Sequence, residues 1–184
     1  MIRNHRLLGR LLLICGMLLL PGAAGAQEFY TYTVGVFGAL GGSIDAEPGD
    51  SLTNTGYQLN LGLVTEPHTH LVLRTGLLKL DQDENFGSLH EAELTYATIG
   101  GEYRDRERFF DSGIYIALGG YRLEGIKPSG ADERENSWGL AIGVTGELPV
   151  NRWLGVQAEL SGHYVDFDEQ QFFAMGNVGI ALHF

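Results

Sequence analysis

The chain has 184 residues, 44% of them apolar and 19% charged, with 27 glycines and a formal net charge of −11. That length fits one domain, and the apolar content excludes a wholly disordered chain. The acidic balance argues against nucleic-acid binding, which needs basic surface to neutralise phosphate.

The first element is a leader. Arg3, Arg6 and Arg10 precede an apolar run, Leu11 to Leu20, and Ala24-Gly25-Ala26 offers small residues suited to cleavage. This pattern predicts a secretory signal peptide over residues 1–26. The run is too short for a membrane-spanning helix, and Pro21 closes it. The single cysteine, Cys15, lies inside the leader behind bulky Ile14, so neither a disulfide nor lipidation is expected. Loss of three arginines leaves the mature domain, 27–184, with 9 basic against 23 acidic residues, a net charge of −14.

Eight alternating segments follow. They are Tyr30–Leu40, Gly56–Val64, Leu71–Leu80, Glu91–Tyr103, Ser112–Glu124, Ser137–Leu148, Trp153–Val165 and Phe172–Phe184. Each is about the length of a tilted strand crossing a bilayer. Their two faces differ in kind. In the second, Tyr57, Leu59, Leu61 and Leu63 oppose Gln58, Asn60 and Gly62; in the seventh, Leu154, Val156, Ala158 and Leu160 oppose Gly155, Gln157, Glu159, Ser161 and His163. A soluble barrel would expose a face rich in Lys, Glu and Thr. Small and polar residues instead suit the lumen of a narrow barrel whose apolar face meets lipid. The paired glycines of "TIGGEY" and "ALGGY" mark places where the alternation can either continue or switch through a bulge, leaving the faces of Tyr103 and Tyr121 open.

The connections alternate in the same rhythm. "EPHTH", "RDRERFFD" and "PVNR" are short, whereas Gly41–Thr55, Asp81–His90, Gly125–Asn136 and Asp166–Gln171 are mostly longer and hold clustered acids. Short periplasmic turns and longer outer loops are the habit of outer-membrane barrels, which makes the acidic set the outer one. Aromatics gather near both ends of the segments: Phe29, Tyr30, Tyr32, Phe109, Phe110, Trp153 and Phe184 at one, and Tyr57, Phe86, Trp138, Tyr164, Phe167 and Phe172 at the other. Interfacial girdles have this distribution.

On these features the mature chain resembles the small eight-stranded outer-membrane β-barrels of Gram-negative bacteria, the OmpA/OmpX type. The resemblance implies an all-β fold: a closed, antiparallel, eight-stranded transmembrane barrel with up-and-down connectivity. It also implies a C-terminal assembly signal, here Ile180, Leu182 and Phe184, read by the barrel-assembly machinery. Outer-membrane lipid and lipopolysaccharide are the implied surroundings, in the bacterial outer membrane.

Arg74, Glu93, Glu147 and Glu159 take the inward parity and predict a polar network in the lumen, because isolated buried ions are costly. Eight strands leave room for side chains and not for a general pore. Glu159, Ser161 and His163 form the residue set of a nucleophile, its base and an orienting acid. Deacylases among small outer-membrane barrels resemble one another in a His-x-Ser order, whereas this chain has Ser161-Gly162-His163; ordinary lumen lining is the expectation. "DQDENFG" begins like a calcium loop, but Phe86 and Ala92 stand where glycine and a bidentate glutamate belong. Weak divalent-cation association at the acidic loops is the remaining metal expectation. His68 and His70 lack a third ligand nearby and read as a solvated turn. No phosphate loop, paired-cysteine site or dinucleotide fingerprint is present, so no cofactor, catalytic residue or metal centre is expected.

The expected function is therefore a structural or surface-interaction role without enzymatic activity. Its rivals are a lipid A-modifying acylhydrolase or acyltransferase, and a soluble periplasmic barrel holding a small hydrophobic ligand.

Overall fold

Alternating apolar and small residues, interrupted by turn formers, give eight strands. They are β1 (Tyr32–Ser43), β2 (Asn54–Glu66), β3 (Thr69–Lys79), β4 (His90–Arg106), β5 (Asp111–Ile126), β6 (Asp132–Asn151), β7 (Leu154–Val165) and β8 (Phe172–His183). The computed structural model of the chain describes residues 31–44, 54–80, 89–106, 109–127, 129–168 and 171–184. The leader, Phe29, Tyr30, Phe86, the "DQDENFG" stretch, Glu169 and the acids Asp45, Glu47 and Asp50 lie outside the described residues.

Every strand pairs antiparallel with its neighbour in sequence, and β1 closes on β8. Closure removes both sheet edges. The closing pair is continuous from Thr33↔His183 to Ser43↔Phe173. The chain end joins it: Phe184 N donates to Tyr32 O at 2.9 Å, and Phe184 O accepts from Thr31 N at 2.6 Å.

Register fixes the shape of the barrel. Leu182 pairs with Val34, and the line then runs through Leu61, Leu73, Ile99, Leu118, Leu140 and Tyr164. It returns to β8 at Phe172, ten residues from its start. With strands roughly 4.8 Å apart and a rise of roughly 3.3 Å per residue, that stagger tilts the strands by about 40°. All nine side chains on this line are apolar, and they form a belt around the outside.

Polarity is inverted relative to a soluble domain. Leu118, Ile142, Leu160 and Val178 are each more than 60% exposed, while Arg74, Glu102 and Glu159 are at most 4% exposed. Soluble monomers rarely show a contiguous apolar patch of more than a few hundred Å². A continuous apolar belt over a polar interior is the arrangement of a barrel that meets lipid.

The lumen holds two layers. At the long-loop end Leu78, Leu80, Leu94, Val165, Phe167 and Phe173 are all buried and pack with Tyr96, Tyr121 and Met175. This apolar plug departs from the expected small and polar lining. Phe167, expected at the rim, stands edge-on to Phe173 inside the plug, with ring centres 6.2 Å apart. Inward glycines make room for the large rings. A Cβ on Gly139 would lie 2.7 Å from the Tyr121 ring, and one on Gly143 would lie 2.6 Å from that of Tyr115.

Three points of local structure are decided by the strand pairing. Alternation passes through both paired glycines without a register shift, so Tyr121 points inward and Tyr103 outward. The shift in β4 falls instead between His90 and Glu93, where Glu91 takes a φ of 51°. Second, the sixth segment begins earlier: Asp132, Glu133 and Glu135 belong to β6 and pair with β5. The connecting turn closes through Lys127 N to Ala131 O at 2.9 Å, with Gly130 at a φ of 80°. Third, the turn after β2 shrinks to residues 67–68, which makes His70 a buried strand residue.

Candidate functional site

The half of the lumen nearer the short turns holds a chain of alternating charges. Glu159 on β7 accepts from Arg74 Nε on β3 at 2.9 Å, and Arg74 Nη2 donates to Glu102 Oε2 on β4 at 2.5 Å. Arg104, two residues on and therefore on the same face of β4, donates from Nε to Glu102 Oε1 at 2.5 Å. Its Nη1 donates to Glu147 Oε2 on β6 at 3.0 Å. Glu147 Oε1 accepts from His183 Nε2 on β8 at 2.5 Å. All six residues are at most 5% exposed.

Neutral groups complete the coordination. Glu159 Oε1 accepts from Gln58 Nε2 at 3.1 Å and Tyr115 OH at 3.0 Å, and Thr145 Oγ1 donates to Glu102 Oε1 at 2.9 Å. Tyr96 OH donates to Gln58 Oε1 at 2.5 Å. The Arg74 guanidinium carbon sits 3.6 Å from the centre of the Tyr115 ring. The charged residues tie five strands across the barrel, and Gln58 on β2 and Tyr115 on β5 bring the number to seven. Ion pairs so thoroughly desolvated persist only when most of their remaining hydrogen-bonding capacity is met; neighbouring side chains supply it here except at Arg74 Nη1, which is buried without a hydrogen-bond partner.

Of the four residues expected in this network, Arg74 and Glu159 meet directly, and Glu147 joins them through Arg104 and Glu102. Glu93 is the exception. It lies on the outer face, in register with Lys79 on one side and Glu124 on the other. The reason is the apolar plug: Ala92, Leu94 and Tyr96 fill the lumen, which turns Glu93 outward above the apolar belt. Sequence reasoning left Glu102, Arg104 and the inward His183 out of the network. Counting every second residue onward from Leu94 finds the first two, but "RDRERFFD" reads as a turn and hides the strand that continues to Arg106.

The Glu159, Ser161 and His163 set is also inward. His163 Nε2 lies 3.0 Å from Ser161 Oγ, while Nδ1 lies 2.9 Å from Tyr121 OH and not against a carboxylate. Glu159 is held by Arg74 instead. The three residues are at most 4% exposed beneath the apolar plug. A serine–histidine contact without an orienting acid, walled off from lipid, has neither the geometry nor the access for acyl transfer.

His68 and His70 part company. His68 Nδ1 donates to Arg104 O at 2.9 Å and its ring stacks on Tyr103, whereas His70 faces the lumen and its Nε2 lies 3.3 Å from Arg106 Nη2. Among the described residues no group of three or more His, Cys, Asp or Glu is placed to hold a metal ion. Ile180 and Leu182 face outward at 50% and 40% exposure, and Phe184 is half-buried on the closing seam.

Fold and polarity together define a small eight-stranded transmembrane β-barrel of the outer-membrane type. Solved structures share the architecture. Neisserial surface protein A (NspA) matches with a TM-score of 0.63 at 14% identity, over 89% of this chain and 100% of its own. A major outer membrane protein from Thermus thermophilus matches with 0.58 at 12%, over 84% and 99%. Ail, the attachment invasion locus protein of Yersinia pestis, matches with 0.56 at 11%, over 84% and 97%. No family model and no curated protein matches the sequence.

Proposed function

We propose that the chain is an integral protein of a bacterial outer membrane, a sealed barrel that serves a structural or surface-interaction role and catalyses no reaction. The observation that carries this reading is the inversion of polarity: an unbroken apolar belt outside, and a lumen filled by an apolar plug over an interlocked charge chain. Such a lumen leaves no continuous aqueous path. The short turns then face the periplasm and the longer connections the exterior.

Export under residues 1–26, with cleavage after Ala26, belongs to this reading, as does recognition of Ile180, Leu182 and Phe184 by the barrel-assembly machinery. Lipopolysaccharide surrounds the outer half, and divalent cations associate weakly with the acidic loops. Ail has been crystallised with the heparin analogue sucrose octasulfate. A polyanion of that kind is a poor match for the acidic connections, so a partner that docks on the loops from outside the membrane is expected to be neutral or basic.

Cell fractionation with unboiled and boiled samples on a detergent gel tests the reading. The expected result is outer-membrane enrichment, a heat-dependent mobility shift, a mature mass starting at Gln27, and no stepwise conductance in planar bilayers. A protein recovered in the soluble periplasm without a mobility shift overturns it.

A further inference from the structure

The outward face of β3 to β6 carries a feature that membrane spanning does not require. Three register rows rise toward the long-loop end, each two residues, roughly 7 Å along the strand, above the last. The lowest is Thr75–Ala97–Gly120–Trp138. Above it lie Leu77–Thr95–Arg122–Asn136, and above that Lys79–Glu93–Glu124–Arg134. On β4 to β6 polarity therefore climbs from small and aromatic, through hydroxyl, guanidinium and amide, to fully charged.

A groove of about 480 Å³ opens across the lower two rows. Its floor is Ala97 and Gly120, and a Cβ at Gly120 would meet nothing within 4 Å. One wall is Trp138, 78% exposed and the most exposed of the large apolar side chains among the described residues. Thr75 and Thr95 line the opposite side. Arg122 Nε donates to Asn136 Oδ1 at 2.9 Å, which fixes the guanidinium at the upper lip. Glu124 is engaged mainly by Arg134, at 2.6 Å, and reaches Arg122 only at 3.7 Å. Such an exposed pair is weak and yields readily to a better anion.

We propose that this groove binds a phosphorylated glycolipid of the outer leaflet, of lipid A chemistry. It rests on the outer-membrane reading above. The occupant's upper acyl segment lies on the Ala97–Gly120 floor, its sugar stacks on Trp138 and hydrogen-bonds Thr95, and its phosphate takes the forked donors of Arg122. A guanidinium is matched to phosphate in shape as well as charge. A flat exposed indole flanked by hydroxyl and amide groups suits a sugar better than a phospholipid head group.

The chain carries two tryptophans, Trp138 and Trp153. The full mature barrel with Trp153→Phe leaves Trp138 as sole reporter, and heat-dependent mobility verifies its fold. Bisphosphorylated lipid A titrated in neutral detergent should shift Trp138 emission saturably. Removing the phosphates from the probe, Arg122→Gln, or Gly120→Val should each raise the apparent Kd at least tenfold. Equal binding of the dephosphorylated probe, or of lipid A by folded Arg122→Gln, overturns the proposal. So does saturation by inorganic phosphate at the same concentration, which would mark a free-anion site. Absence of the protein from outer-membrane fractions would sink the localisation instead, and this titration would still decide the groove.

Discussion

Arg74→Ala is the sharpest perturbation of the lumen. It removes the contacts to Glu159 and Glu102 at 2.9 and 2.5 Å, where the carboxylate side chains are 0% exposed, together with the stack on Tyr115. Deleting one partner of a buried pair costs about 3–5 kcal/mol, because the other charge is stranded. Glu102 keeps Arg104, whereas Glu159 is left with only neutral donors, Gln58, Tyr115 and Asn177 among them. The expected loss is therefore about 3 kcal/mol, carried mostly by Glu159. At about 1–3 kcal/mol per molar of urea this lowers the unfolding midpoint by about 1–3 M. Folded and unfolded fractions can be read from the heat-dependent gel shift after equilibration in vesicles and urea. Adding Glu159→Gln to Arg74→Ala should restore part of the loss, since the stranded charge is gone. An unchanged midpoint for Arg74→Ala, or a double variant as weak as the sum of the singles, would refute the reasoning.

Phe173→Ala empties part of the plug and should cost about 3–5 kcal/mol in the same titration, against a smaller loss for Ile116→Ala, whose outward side chain gives up contact with lipid but leaves no cavity in the lumen. Gly139→Leu should fail to fold, because the Tyr121 ring occupies the space its side chain needs; the readout is loss of the heat-dependent shift. Ser161→Ala and His163→Gln should leave any esterase signal at background, equal to the parent protein, and a parent signal that either variant abolishes would revive the enzymatic rival. Deleting Phe184 should lower the amount of barrel assembled in cells several-fold while refolding in detergent proceeds, which gel-shift quantification of both preparations will separate.

Alternation alone determined the strand number, the lipid-facing sets of β2 and β7 and the closing strand. In β2 and in the lower part of β7 the two faces differ so plainly that parity is readable: leucines against Gln58 and Asn60, or Val156 and Leu160 against Gln157 and Glu159. Loop alternation is equally local. For β4 the sequence offered no such contrast, because Leu94 and Tyr96 on one face meet Thr95 and Ala97 on the other. Only the closed barrel decides which is inside, by giving the apolar set a plug to join, and Glu93 follows outward as a consequence. The charge chain is legible only in part: inward parity marks Arg74, Glu147 and Glu159 as lumen charges, but not which partner each one meets. Glu159, Arg74, Glu102, Arg104, Glu147 and His183 come from five strands, and what brings them together is the stagger of ten residues around the barrel, a property of register and closure rather than of any single strand. A pattern of period two specifies faces; distances across a lumen exist only once the sheet has closed on itself.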